Sequence, residues 1–419
     1  MYPESHVPTF ETTQRGAESR RMNWSRIELS IECKVHPVSQ DPFDDGKDDL
    51  EGASAKREDV YGQILSYADL VFSHQQRTHH YMVLFLGHYA RIVRFDRSGI
   101  VITRKLDYSL HGLKLSNFFA RFAHLDAEGL GQDSSAIRLE HDDPMATCVK
   151  ALADKGFNEN PKDHIWAGFH ASLDATLPWW KVKIYDEPTK AERWAVVGKP
   201  NFQAPGLLGR GTRGYMALLL DNDGNLPLDA DGNLLCDERG KSTFNFKYLK
   251  DSWRVGYEDF EKEGEILSVL NAKRVRFIPT LRFHGDIPGQ ATKSYTAWHE
   301  QHPGQTCPLK PHQHYRLVVD EIGKPLSEFV NGIQLVCAMY CVVLGEHTRR
   351  LHASNVLVLI SILQHTRERV APDTSIAISA PETFFSSYPR LVNGWECSTI
   401  GRWLRPMTMR RVHLTRAVK

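Results

Sequence analysis

Residues 209–214 read Gly-Arg-Gly-Thr-Arg-Gly, a GxGxxG run. Phosphate oxygens accept from backbone N–H groups at close range, and a Cβ in that position blocks the approach. In a dinucleotide site such a run opens a helix. Here residues 215–220 continue it as an apolar strand, so the run fits a glycine flap over nucleotide phosphates. Taken alone, the six residues fit an ordinary glycine-rich hairpin better. The residues downstream shift that balance. A phosphoryl-transfer site needs a strand lysine on the phosphates and a helix glutamate to hold it. Lys250, in Leu-Lys-Asp-Ser-Trp, is the candidate lysine; its bland alternative is a solvated strand end. Glu263 is the candidate partner. On a helix expected over 257–270 it lies three residues after Phe260 and four before Leu267, on their inward face. Glu265 falls further round, toward solvent.

These residues need elements to position them. Alternation predicts strands at 27–34, 180–185 and 193–197. Residues 81–95 and 100–105 are strand-like, joined by the turn Asp96-Arg97-Ser98-Gly99. Helical periodicity predicts helices at 58–74, 113–124, 147–155 and 334–347. Residues 314–319 read as a strand, followed by Asp320-Glu321-Ile322. The insert 221–240 repeats Asp-Gly and Asp-Asn turns. A calcium loop needs Glu at its twelfth position, which from Asp221 is Gly232 and from Asp229 is Gly240, so a polar excursion fits better. His312 and His314 form an HxH pair without a third ligand and read as loop histidines.

Composition bounds the rest. The chain has 419 residues, 41% hydrophobic and 25% charged, as in a globular protein of two or three domains. A net charge of +1 gives no global signal for nucleic acid or an acidic membrane. Seven scattered cysteines without a CxxC suit a reducing compartment. No secretory signal or membrane span is read, so an intracellular site, cytoplasm or nucleus, is expected.

A second constellation lies near the start. Glu32 and Lys34 share a strand face, and Gln63 and Tyr67 share a helix face. The two pairs resemble the ExK and QxxxY elements of PD-(D/E)xK nucleases, in which acids bind Mg²⁺ and the lysine helps activate water. No clear metal-binding Asp precedes Glu32, only Glu18 and Glu28. A nuclease-like scaffold without the chemistry fits better than an active nuclease.

In family order, the chain carries HYARIVRFDRSGIVIT at 88–103, Val197-Gly198-Lys199-Pro200, the glycine run, LKDSWR, Phe283-His284-Gly285-Asp286 with Gln290-Ala291-Thr292, and HYRLVVDEIGKPLSEF at 314–329. On these motifs it resembles the fungal-type protein kinases of mushroom-forming fungi, over roughly residues 24–347. The resemblance implies a protein-kinase-like fold and ATP- and Mg-dependent phosphoryl transfer to Ser or Thr of a protein substrate. It implies that Gly209, Gly211 and Gly214 flank the phosphates and that Lys250 and Glu263 form the ion pair. It makes 320–322 the hinge, with Glu321 and Ile322 offering backbone groups to adenine.

The pattern then stops. After Glu321 the sequence holds a single aspartate, Asp373, without His-Arg before it or Phe-Gly after it. A kinase needs one carboxylate at the substrate hydroxyl and others on Mg²⁺. No catalytic Asp and no metal ligand is therefore identified. From His347 onward there are eleven Lys and Arg against four Asp and Glu. Such a tail fits a shifted reading frame, or a basic segment for nucleic acid or acidic surfaces. The expected fold is α+β: residues 1–22 disordered, 23–180 an N-terminal α/β region with a nuclease-like cast, 181–346 a kinase-like lobe with hinge and first helices, and 347–419 an atypical tail in place of the C-lobe. The expected function is an impaired member of this kinase class. Alternatives are a non-catalytic nucleotide-binding or interaction protein (a pseudokinase), or a nuclease-like nucleic-acid-binding protein.

Overall fold

The structure, a computed structural model, describes residues 22–45, 54–140, 142–174, 176–352 and 414–416. Two sheets organise them. The first starts with a βαβ unit: β1 (Leu29–Lys34), α1 (Ala55–His74), then β2 (His79–Leu86) parallel to β1. Hairpins add β3 (Tyr89–Asp96), β4 (Ile100–Ile102) and the short β5 (Leu106–Asp107). Helix α1 buries Ile64, Ala68 and Phe72 on one face, against Met82, Leu84, Val93 and Phe95. Helix α2 (Gly112–Ala123) buries Leu115 and Phe122 on the other, against Leu29, Val83 and Ala90. Covered on both sides, β2 can read as a nearly continuous apolar run. The stretch 81–95 expected to be strand-like is thus two strands, because Gly87, at φ +58°, turns the chain at the hairpin.

The second sheet is antiparallel throughout. In chain order it takes β6 (Ala136–Leu139), β7 (Trp179–Asp186), β8 (Ala191–Val197), β9 (Phe202–Gln203), β10 (Arg213–Leu219), β11 (Phe246–Val255), β12 (Leu281–Ala291) and β13 (His312–Val319). In space the order is β12-β13-β11-β10-β8-β7-β6, with β9 also on β10. Helices α3 (Pro144–Glu159) and α4 (His164–Ser172) start at Asp143 and Asp163, whose carboxylates accept from the first-turn N–H groups. They pack Trp166 and Phe169 onto Phe246 and Leu218 of the sheet. The insert before β11 is a series of turns. Asp221, Asp229 and Asp237 each accept two N–H groups of their own loop. The carboxylates that suggest calcium on first reading thus hold up their own turns.

Helix α5 (Glu263–Ala272) corrects the expectation of a helix from 257. Tyr257 to Phe260 form a turn, and Phe260 is 59% exposed rather than inward-facing. The start is set by tertiary contacts. Lys262 sits at the N-cap, its ammonium 2.6 Å from Glu187 and 3.0 Å from Asp286, while Glu265 accepts from the Lys262 N–H at 3.2 Å. Helix α6 (Ser294–Gln301) lies in the hydrophilic stretch before His312, where the sequence pattern predicts no helix. Its first N–H groups, of Lys293 and Ser294, donate to Asp96 at 3.0 and 2.9 Å, so its cap comes from a distant part of the chain. The expected helix at 334–347 is α7 (Gly332–His352), longer by a turn at its end. Of the tail beyond it, only Leu414–Arg416 is described; it forms β14, parallel to β4. Expectations for Asp373, for the rest of the tail and for residues 1–21 lie outside the described residues.

Candidate functional site

Lys250 lies mid-strand in β11, paired with Gly214 on one side and Leu317 on the other. It is a buried lysine, 5% exposed, not a solvated strand end. Its Nζ donates to Glu263 Oε2 at 3.0 Å. Glu263 reaches it from the first turn of α5, and Glu265 is exposed. Arg210, in the glycine segment, places a guanidinium nitrogen 4.0 Å from the same Glu263 oxygen. A small cleft, with a cavity volume of only about 10 Å³, adjoins the pair and is lined by Tyr248, Leu267, Pro279, Leu317 and Val319.

The glycine segment is held from below by the Asp96-Arg97-Ser98-Gly99 turn of the first sheet. Arg97 is 5% exposed, its guanidinium 4.8 Å from the Phe72 ring centre and donating to the carbonyls of Gly206 and Leu207. Burial, and then the charge of Arg213, pulls its pKa down to about 9. The Arg97 carbonyl in turn accepts from the Gly209 N–H at 2.8 Å, and the Arg210 carbonyl from the Trp253 N–H at 2.7 Å. A Cβ on Gly211 would lie 2.3 Å from the Arg97 guanidinium carbon, and one on Gly214 would lie 1.9 Å from the Tyr248 hydroxyl. Two of the three motif glycines thus have a packing reason independent of any ligand. Ser98 bonds to Thr292, to the Lys310 carbonyl and to His312. One turn therefore gathers three segments that are far apart in the sequence.

The other face of β11 carries a buried charge network. Asp251 accepts from His314 at 2.9 Å and from Arg316 at 2.8 Å; Arg316 also donates to Asp133 at 2.7 Å. Burial alone would raise the Asp251 pKa, but the charges of His314 and Arg316 outweigh it and hold the carboxyl far below its usual range. His312 and His314 are not loop histidines. Both belong to β13 and are buried, His314 between Asp251 and Gln290 and stacked on Trp253 at 4.8 Å. The sequence signal for this network is the alternation of Asp251, Trp253, His314 and Arg316 on facing strands, which is legible only once the pairing is known.

In the 320–322 segment, the Glu321 carboxylate accepts from the Thr280 N–H and hydroxyl at 2.7 Å each. Ile322 is buried in the cluster formed with Trp166, and its carbonyl lies 3.0 Å from His164 Nε2. Asp320 donates its N–H to the Thr280 carbonyl.

The four residues of the nuclease-like constellation do meet. Lys34 Nζ is 2.6 Å from Glu32 and 2.6 Å from Gln63, whose amide reaches the Tyr67 hydroxyl at 2.5 Å. Among the described residues there is no group of three or more His, Cys, Asp or Glu that could hold a metal, here or beside Lys250. Among them, too, no helix is long and apolar enough to cross a membrane.

Comparison with known proteins gives one family. No curated protein and no solved structure matches the chain. The family model described as fungal protein kinase matches residues 49–358, a span that runs from before α1 to beyond α7 and includes the Asp96 turn, the glycine segment, Lys250 and Glu263. The chain therefore belongs to the fungal protein kinase family.

Proposed function

We propose that the chain binds the phosphate groups of a nucleotide such as ATP between the glycine segment and the Lys250–Glu263 pair, and does not itself turn over as a kinase. The observation that carries this is the buried lysine on the 3.0 Å contact to Glu263, beside a small cleft. The order of parts supports it: glycine segment, lysine strand, glutamate helix, two strands, then 320–322 is the order of a kinase's nucleotide-binding lobe. An ammonium has three donors in a mobile fan, so Lys250 can hold a carboxylate and a phosphate oxygen together. Glu263 fixes its direction, and Arg210 adds a second cation. When bound, ATP would supply the transferable phosphoryl group. Mg²⁺ finds no donor set among the described residues, so no step is routed through it.

The non-catalytic part of the reading rests on sequence. Holding ground state and transition state equally does not speed a reaction. The groups that act on the transition state are an Asp at the substrate hydroxyl and acids on the metal. The sequence after Glu321 offers Asp373 as its single aspartate, and one Asp cannot fill both places. Typical kinases turn over at about 1–100 per second; this chain is expected to fall orders of magnitude short. The test has two arms. Millimolar ATP should raise the melting temperature of the wild type and not that of Lys250→Ala; no shift in the wild type overturns the binding reading. Radiolabelled ATP should leave no Lys250-dependent label on the chain or on generic protein substrates; such label overturns the non-catalytic reading.

A further inference from the structure

Strand register decides what lies over each end of this cleft. Lys250 pairs with Gly214 and Leu317, and Tyr248 pairs with Met216 and Val319. Alternate residues share a face, so both side chains point into the cleft, about 7 Å apart along the strand. Tyr248 is on the side of 320–322, which directly follows Val319. A base reaching those residues, with its phosphates at Lys250, would have to pass beneath Tyr248 and Met216.

That space is occupied by the protein itself. Helix α4 packs so closely on β10 that a Cβ on Gly168 would lie 2.5 Å from the Met216 sulfur. Trp166, from the same helix, joins Met216, Tyr248 and Ile322 in one apolar cluster. His164, at the start of the helix, takes the Ile322 carbonyl at 3.0 Å, the kind of contact a base amine would make. The Ile322 carbonyl is thus already paired, while at the phosphate end, among the described residues, Lys250 and Arg210 both lie beside Glu263.

We infer that α4 is a built-in occupant of the base compartment, so that the site accepts a triphosphate group with little regard to the base attached. The inference rests on the proposed phosphate binding and names its ligand class more narrowly. A buried polar site that reads a base discriminates strongly, by about 10⁴-fold, because its donors and acceptors are otherwise left unpaired. Here His164 pairs that acceptor internally, so the base adds little.

The experiment titrates the full chain with ATP, GTP and inorganic tripolyphosphate by calorimetry, with Lys250→Ala as the control. Dissociation constants within about threefold of one another, all weakened alike by Lys250→Ala, bear the inference out. ATP binding tighter than tripolyphosphate or GTP by about tenfold or more (1.4 kcal/mol) overturns it while leaving the phosphate reading intact. Binding of none of the three overturns both.

Discussion

Gly211 separates two demands that coincide in one motif. Its φ of +48° is a left-handed value, and its α-carbon lies against the Arg97 guanidinium. Gly209 has φ +93° and open space where a Cβ would go. Gly209→Ala should therefore cost only the backbone strain, about 1 kcal/mol. Gly211→Ala must also push aside a buried arginine and should cost about 2–4 kcal/mol. Urea denaturation of the two variants checks this; equal losses would mean that the loop yields around Arg97. Phosphate binding alone predicts no such difference in stability without ligand.

Among elements, α6 shows how far a cap can come from. The Asp96 carboxylate is fully buried and accepts from the N–H groups of Ser98, Lys293 and Ser294, and from Arg94. Burial would raise its pKa, but the Arg94 charge and the Ser294 contacts prevail and hold it low. Asp96→Asn keeps the shape but loses the charge, and should destabilise by about 1.5–3 kcal/mol. Amide exchange should quicken first at Lys293 and Ser294 and in the glycine segment, since both hang on the same turn. Unchanged exchange at 293–294 would contradict the assignment of Asp96 as the cap. The start of α5 follows the same logic: Lys262, held by Glu187 and Asp286, sets where Glu263 falls.

At the scale of the whole molecule, the two sheets are joined through buried titratable groups, and these fix the pH response. Burial lowers the pKa of His312 to about 4 and of His79 to about 3, and holds His80 well below the usual value. The unfolded chain takes up these protons near pH 6.5 and the folded chain does not. Stability from these residues is therefore complete above about pH 6.5 and falls as the pH drops below it. Asp96, Asp133 and Asp251, depressed in the fold, add a second loss as the pH falls below about 4. From pH 7.5 to 5.5 the wild type should lose up to about 4 kcal/mol, and His312→Asn about 1 kcal/mol less. Denaturant midpoints at the two pH values measure it; a flat profile would mean that the histidines are hydrated.

The sequence by itself determined what depends on neighbours along the chain. Alternation marked β1, β7 and β8, periodicity marked α1 and α2, and the Asp-rich insert was legible as turns because each aspartate bonds its own loop. The order of glycine segment, lysine and glutamate was enough to pair Lys250 with Glu263, though the fold does not bring them together through a long helix with Phe260 facing inward, as periodicity suggests. Tertiary structure decided the rest. Helix α6 and the start of α5 take their caps from Asp96, Glu187 and Asp286, which no local window contains. The buried states of His312, His314 and Lys250 depend on which strands pair, since the same short polar motifs fit a loop until opposite charges close over them. Only the packing of α4 against Met216 and Ile322 shows that the Ile322 carbonyl already has a partner.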